Sequence, residues 1–264
     1  MAAIIESIYI SPKSAAPMVS LQTANLIPGV GVEGDRYALR TGTYSARFLS
    51  EPGKNLTMVS ADAVESAIAE HGMEPLASMG DLRRNLVVRG LSADAVNGMV
   101  GHEVSVGPTV RLFVHRRTVP CKYREAGCKR AGLMNNLWDA CGVNCEILTP
   151  GAVSVGDEVG VVADTHQPRR ANPGHKPPAF FVRPSERTAG QARSMVIPPA
   201  IAAIMCLLDP TGFRRVEDGY NSVGQHFWSR RAHGAGVLAG ALRSPLLFAA
   251  AATLVAVVKL NMRR

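Results

Sequence analysis

The chain has 264 residues, of which 47% are hydrophobic and 19% charged, and it contains 25 Gly and 17 Pro. This composition is that of a globular protein with many turns, and it excludes wholesale disorder, a collagen-like repeat and a coiled coil. Residues 1–164 carry 15 Lys/Arg and 17 Asp/Glu, a net −2, whereas residues 165–264 carry 14 and 4, a net +10. The N-terminal part therefore has no electrostatic signature of nucleic-acid binding.

Short strands with tight turns are predicted over the first 164 residues. Ser60 is an expected N-cap, and the apolar spacing after it predicts a helix over residues 61–71. A hairpin is expected around Gly107-Pro108, where β-branched runs flank a turn. Together these signals predict a β-rich α+β domain, barrel-like and with few helices. The predicted strands cover residues 4–10, 56–59, 86–88, 103–106, 110–114, 146–148 and 158–162.

The composition changes after this domain, which we place at residues 1–163. Residues 164–193 are rich in Pro and Arg and predict an extended linker. Residues 194–264 predict a basic and apolar helical extension. Its uncharged run, residues 245–258, is shorter than the roughly 20 residues that a bilayer span needs. Two alternatives stay open, a membrane anchor over residues 244–260 and an Ala-rich helix buried in protein.

An early loop places charged and hydroxyl side chains between glycines. Asp35, Arg36, Thr41 and Thr43 belong to it, and backbone N–H groups in such a loop can bind an anion. The alternative is an ordinary Gly-Asp turn.

Two arginines and an asparagine precede the predicted strand at residues 86–88. We select Arg83 and Asn85 from this group as candidate site residues. Arginine binds phosphate through two parallel hydrogen bonds, and asparagine supplies both a donor and an acceptor. The alternative interpretation is a solvated charge cluster.

The sequence also contains five cysteines, Cys121, Cys128, Cys141, Cys145 and Cys206. No secretory signal is visible, so we expect a reducing, cytoplasmic compartment and free thiols. Cys121 follows Arg116 and Arg117, and positive neighbours lower a thiol pKa and favour the reactive thiolate. A buried, inert cysteine is the alternative. A zinc site formed by the first four cysteines stays open, although only Cys141 and Cys145 have typical ligand spacing.

Five motifs in order resemble MOSC domains, which are named after the C-terminal domain of molybdenum cofactor sulfurases. They are Gly34-Asp35-Arg36, Arg83-x-Asn85-Leu86-Val87-Val88-x-Gly90-Leu91, Gly101-x5-Gly107, Pro120-Cys121 and the stretch around Gly156-Asp157. The resemblance covers about residues 1–163 and is closest to the stand-alone bacterial type. One departure is Thr41-Gly42-Thr43, where many bacterial relatives carry His-Gly-Gly.

The resemblance implies a β-barrel-like fold that binds the molybdenum cofactor, a pterin dithiolene with a phosphate. Cys121 would be the catalytic residue and the molybdenum ligand. The cofactor-binding residues would be Arg83, Asn85, Asp35, Arg36, Thr41, Thr43 and Arg117. A soft thiolate suits such a metal centre, and arginine suits the phosphate.

Two functions follow from the resemblance. In the first, the protein reduces N-hydroxylated substrates by two electrons, which a flavoprotein or iron–sulfur protein supplies. In the second, Cys121 carries sulfur as a persulfide received from a cysteine desulfurase, and pyridoxal phosphate belongs only to that partner. A third class, from the charge of the tail rather than the resemblance, is a membrane-tethered binding module.

Overall fold

A computed structural model describes residues 2–14, 16–42, 52–120, 125, 128, 130–172, 182–183 and 186. The predicted site residues Thr43 and Cys121 lie outside the described residues, as does the apolar segment at 244–260. No helix in the described ranges is long and apolar enough to cross a bilayer.

Strands dominate the described part of the chain, and the helical segments among them are short. The strands are β1 (Ala3–Ile10), β2 (Val19–Leu21), β3 (Thr23–Ile27), β4 (Gly31–Val32), β5 (Leu56–Ser60), β6 (Leu86–Arg89), β7 (Glu103–Val106), β8 (Val110–Arg117), β9 (Val143–Ile147), β10 (Gly151–Ser154) and β11 (Glu158–Val161). The helices are α1 (Ala61–Glu70), α2 (Ala93–Gly98) and α3 (Leu133–Asn136), and the 3-10 turn is Met79–Leu82.

Seven strands close into a barrel in the order β1, β6, β5, β9, β8, β7, β11, because β11 pairs back onto β1. Strands β5 and β6 are parallel and are joined through α1, whereas the other neighbours are antiparallel. Strand β2 adds to the free part of β1, and β10, β3 and β4 form a second small sheet. The predicted β-rich α+β barrel with few helices is confirmed.

Alternate residues of the strands fill the barrel, as the two-residue period of a strand requires. On β8, for example, Val110, Leu112 and Val114 belong to the interior core. A second apolar cluster lies outside the barrel, where α1 covers β5 and β6. It joins Val64 and Ile68 of α1 to Val59, Val87 and the segment around Leu137.

Most predicted elements are present, with shifted ends. Helix α1 begins after Ser60, whose hydroxyl accepts a hydrogen bond from the Ala63 amide as an N-cap. Strand β8 runs on through Arg117, so Arg116 and Arg117 lie within the strand rather than after it. Residues 164–172, the first part of the predicted linker, pack against the barrel through contacts described below. The predicted domain boundaries themselves stay a prediction.

Candidate active site

Asp35 is the centre of a buried hydrogen-bond network at the end of β1. Its side chain is fully buried, and its Oδ1 accepts hydrogen bonds from the Ser11 amide at 2.9 Å and from Arg36 Nη1 at 3.0 Å. Its Oδ2 accepts one from the Tyr37 amide at 3.2 Å. A buried carboxylate needs such partners, since an unpaired one is very costly to desolvate. Asp35 therefore fixes the early loop against β1.

Arg83 and Thr41 extend this network. Arg83 Nη2 donates to Ser11 Oγ at 3.2 Å, and Nη1 donates to the Ala16 carbonyl. Thr41 Oγ1 donates to the Pro12 carbonyl at 2.6 Å, and its amide donates to the Arg36 carbonyl at 2.8 Å. The fold thus brings together three of the predicted site segments, the early loop, the end of β1 and the residues before β6.

Asn85 connects three strands through one amide group. Its Oδ1 accepts from the Thr57 amide at 3.1 Å and the Thr57 hydroxyl at 3.0 Å, and its Nδ2 donates to the Tyr9 carbonyl at 3.1 Å. The side chain is 1% exposed. Asn85 therefore holds the start of β6 between β1 and β5.

Tyr37 lies among the cations of the early loop, and sequence reasoning did not select it. The Arg36 guanidinium lies 5.0 Å from the centre of its ring. Burial raises the pKa of the Tyr37 phenol, although the nearby charges of Arg36 and Arg84 oppose that shift. The phenol is therefore protonated at neutral pH and can donate a hydrogen bond.

A small pocket opens beside Tyr37. Two cationic residues, Arg40 and Lys54, line it, and no carboxylate does so among the described residues. Lys54 is 8% exposed. The remaining lining residues are Gly29, Val30, Ala38 and Asn55. The charge of this pocket favours an anionic ligand.

Arg84 is a second residue of the site that the sequence did not predict; the prediction named its neighbour Arg83. Its Nε donates to the Cys141 carbonyl at 2.9 Å, and its Nη2 donates to Cys141 Sγ at 2.8 Å. The next residue, Gly142, accepts a hydrogen bond from the Thr118 amide at 2.7 Å. Because Thr118 and Pro120 lead directly to Cys121, Arg84 lies near the start of the segment that carries the predicted metal ligand.

A glycine is required at position 142, where the chain passes close to β5. Its φ is +85°, and an added Cβ would lie 2.1 Å from the Met58 carbonyl oxygen. Only glycine allows the chain before β9 to pass so close to β5.

Arg117, also predicted as a cofactor ligand, contacts a different group of residues. Its Nη2 donates to the Trp138 carbonyl at 3.1 Å and pairs with Asp139. Arg183 pairs with the other carboxylate oxygen of Asp139. Arg117 therefore helps to fix the segment after α3.

The three described members of the four-cysteine set lie in different surroundings. Cys145 is fully buried in the barrel core, and burial raises the pKa of its thiol to about 12. Cys141 contacts Arg84, and Cys128 Sγ lies 3.5 Å from the Asp81 carbonyl. The described residues contain no cluster of three or more potential metal-binding side chains.

The residues around Tyr37 suit the anionic part of a molybdenum cofactor. The cations Arg36, Arg84 and Lys54 come from separate parts of the chain, and guanidinium groups match phosphate in geometry. Asp35, Arg83 and Asn85 make protein contacts that build the walls of this region.

Comparison with known proteins agrees with this architecture. Residues 45–160 match the family model of the MOSC domain. No curated protein matches the chain. The structure of the YuaD protein from Bacillus subtilis is similar, at 18% identity and a TM-score of 0.50, over 60% of this chain and 94% of that one. YiiM from Geobacillus stearothermophilus aligns at 14% identity and a TM-score of 0.46, over 73% of this chain and 90% of that one. The match to the family model identifies a MOSC domain over residues 45–160.

Proposed function

We propose that this MOSC domain binds the molybdenum cofactor and reduces N-hydroxylated substrates with electrons from a separate protein. The observation that carries the proposal is the group of cations around Tyr37, with Arg84 beside Cys141 and the strand end that leads to Cys121. The MOSC family is associated with this cofactor, and the charge of the cation group supports the proposal that it binds here.

Each residue has a distinct role in this proposal. The guanidinium groups of Arg36 and Arg84 bind the cofactor phosphate, and the Cys121 thiolate is the metal ligand. Asp35 and Asn85 hold the surrounding segments in place through the hydrogen bonds described above. When bound, the cofactor supplies the oxygen-transfer chemistry, and the protein binds and orients the reactants.

The proposed reaction consumes two electrons, from the partner protein, and two protons, from solvent. An N–OH group gains two electrons and two protons, its N–O bond breaks, and the products are N–H and water. A flavoprotein or iron–sulfur protein supplies the electrons. Tyr37, protonated at neutral pH, can donate a hydrogen bond to a ligand in the pocket.

Molybdenum content tests this proposal after expression in a host that makes the cofactor. We expect molybdenum close to one atom per chain in the wild-type protein, and its loss in Cys121→Ala and in Arg84→Ala. Cys206→Ala is the matched cysteine control and should retain the metal. Loaded protein should then reduce an N-hydroxylated base with reduced viologen as the donor. Molybdenum that persists in both Cys121→Ala and Arg84→Ala would contradict the proposal.

The second candidate function is sulfur transfer, for which Cys141 offers a second thiol next to Gly142, the residue that accepts the Thr118 hydrogen bond. In this reaction the Cys121 thiolate attacks the outer sulfur of a desulfurase persulfide, and the desulfurase thiolate leaves. Wild-type protein without molybdenum, but with a persulfide on Cys121 after incubation with a desulfurase and cysteine, would establish this function instead.

A further inference from the structure

Residues 162–172 cross the outer face of the barrel after β11, and we call this segment the strap. Near its start, the Glu103 amide donates to Thr165 Oγ1 at 3.0 Å. The Gln167 amide then donates to the Gly101 carbonyl at 2.6 Å, and the His166 ring stacks on His102 at 4.4 Å. The whole strap lies beyond residue 160, where the match to the MOSC family model ends.

The strap covers the outward side of β8. Phe113 and His115 point away from the barrel core, yet they are 0% and 2% exposed. The Arg170 guanidinium lies 4.3 Å from the centre of the Phe113 ring. Its Nη2 also lies 3.1 Å from Glu146 Oε2, the same oxygen that is 2.7 Å from His115 Nε2. Arg170 therefore joins the strap to both β8 and β9.

The contacts of Arg170 with Phe113 and Glu146, which we call the clamp, lie at an irregular point of the barrel. The pairing of β8 with β9 shifts register between Val114 and Arg116, at the position of His115. Such bulges redirect a strand and the side chains that follow it. Immediately beyond, Arg116 Nη1 donates to the Pro52 carbonyl at 2.8 Å and to the Asn172 carbonyl at 3.4 Å. The strap is thus attached on both sides of the bulge.

We propose that Arg170 is a positioning residue for the candidate site, because it clamps the bulge of β8 and so fixes the strand end that leads to Pro120. This inference rests on the proposed function only in its assumption that the segment after Pro120 is the working part of the site. The clamp itself is a property of described contacts. It makes part of the predicted linker a component of the site.

Hydrogen exchange tests the clamp in the full chain. We expect Arg170→Ala to speed exchange of the Thr118 amide, which bonds to Gly142, on the order of fivefold, the effect of losing one partly exposed ion pair. Arg169→Ala is the matched control, because Arg169 is the exposed neighbour on the strap. Thr118 exchange that is the same in both variants and in the wild-type protein would overturn the proposal.

The rate of Cys121 alkylation at one fixed pH supplies a second readout. Arg170→Ala should raise this rate, because a loosened strand end protects the segment after Pro120 less well, and Arg170→Lys should restore part of the wild-type rate. Labelling of Cys145 in the barrel core reports global unfolding in the same sample. If Arg170→Ala unfolds, Glu146→Gln serves as the milder variant, and an unchanged alkylation rate in it overturns the inference.

The two proposals fail in distinguishable ways. Absence of molybdenum from the wild-type protein removes the proposed function but leaves the Thr118 exchange and the Cys121 alkylation rate to decide the clamp. Molybdenum bound equally by wild type, Arg169→Ala and Arg170→Ala, with unchanged Thr118 exchange, removes the clamp and leaves the proposed function intact.

Discussion

Two outer faces of the same barrel are covered by different chemistry. Helix α1 covers β5 and β6 through aliphatic contacts, in a cluster that includes Val64 and Ile68. The strap covers β8 and β9 mainly through charge and hydrogen bonds, with Arg170 between Phe113 and Glu146. Apolar burial is insensitive to pH and weakly sensitive to salt, whereas ion pairs depend on both. Helix α1 should therefore stay in place until the core unfolds, whereas the strap should detach from the barrel at a pH or salt concentration that leaves α1 in place.

The largest effect on stability is expected on the barrel face that α1 covers, which we call the helix face. Ile68→Ala should lower the free energy of unfolding by about 2–5 kcal/mol, because Ile68 is 5% exposed and its removal leaves a cavity. Urea denaturation measures the change, and Glu70→Ala, at an exposed position of the same helix, should stay within about 0.5 kcal/mol of wild type. A loss below about 1 kcal/mol would show that this face is as loosely covered as the other.

The strap should respond to acid. Partial burial works to raise the pKa of Glu146, but hydrogen bonds from His115 and Arg170 outweigh it and hold that pKa below its ordinary value. A carboxyl with a depressed pKa in the folded state stabilises the protein above its unfolded pKa of about 4.3, and this stabilisation is lost as pH falls through the folded value. Protection of the Gln167 amide should therefore fall below about pH 4.3, before that of the amides of α1.

Glu146→Gln separates this local effect from general acid denaturation. The variant should destabilise the strap by about 1 kcal/mol at neutral pH, since the pair is partly exposed. It should also remove the difference in acid response between Gln167 and α1. Strap protection that falls with acid to the same extent in Glu146→Gln and wild type would assign the acid response to other carboxyl groups.

The contrast between the two faces also explains how much the sequence could predict. Helix α1 was predictable because Ser60 and the apolar spacing after it are local signals. From the sequence, residues 164–172 of the strap are predicted as linker, since nothing in the order of Pro and Arg residues shows that Arg170 meets Phe113. The sequence also predicts the end of β8 too early, for the same reason. Its charged residues Arg116 and Arg117 find partners that are distant in sequence.

The same limit applies to the candidate site. The sequence singled out Asp35, Arg36 and Arg83, and the fold does bring them together around Ser11. It did not single out Arg84 or Tyr37, because both lie outside the strands, where no two-residue period shows which of two adjacent side chains faces the site. For Arg84 that information lies in the register of β6 against β5 and in the close approach of Gly142 to β5.

The smallest expected effect tests whether the helix face itself depends on charge. Arg89 of β6 pairs with Glu6, Asp62 and Glu65, and its side chain is 35% exposed. The hydrogen bond from Arg89 lowers the pKa of Glu65, so the pair contributes near neutral pH. We expect Glu65→Gln to cost about 0.3–1 kcal/mol in dilute buffer, and less at about 0.5 M salt, where exposed charges are screened.

Urea denaturation at both salt concentrations measures this cost, with Glu70→Gln on the same helix as the control. A cost of Glu65→Gln that rivals that of Ile68→Ala, or that survives high salt, would mean that α1 is held largely by its ion pairs. The two faces would then differ in the number of their charges rather than in the kind of contact. A small, salt-screened cost instead leaves apolar burial as the reason that α1 stays in place when the strap opens.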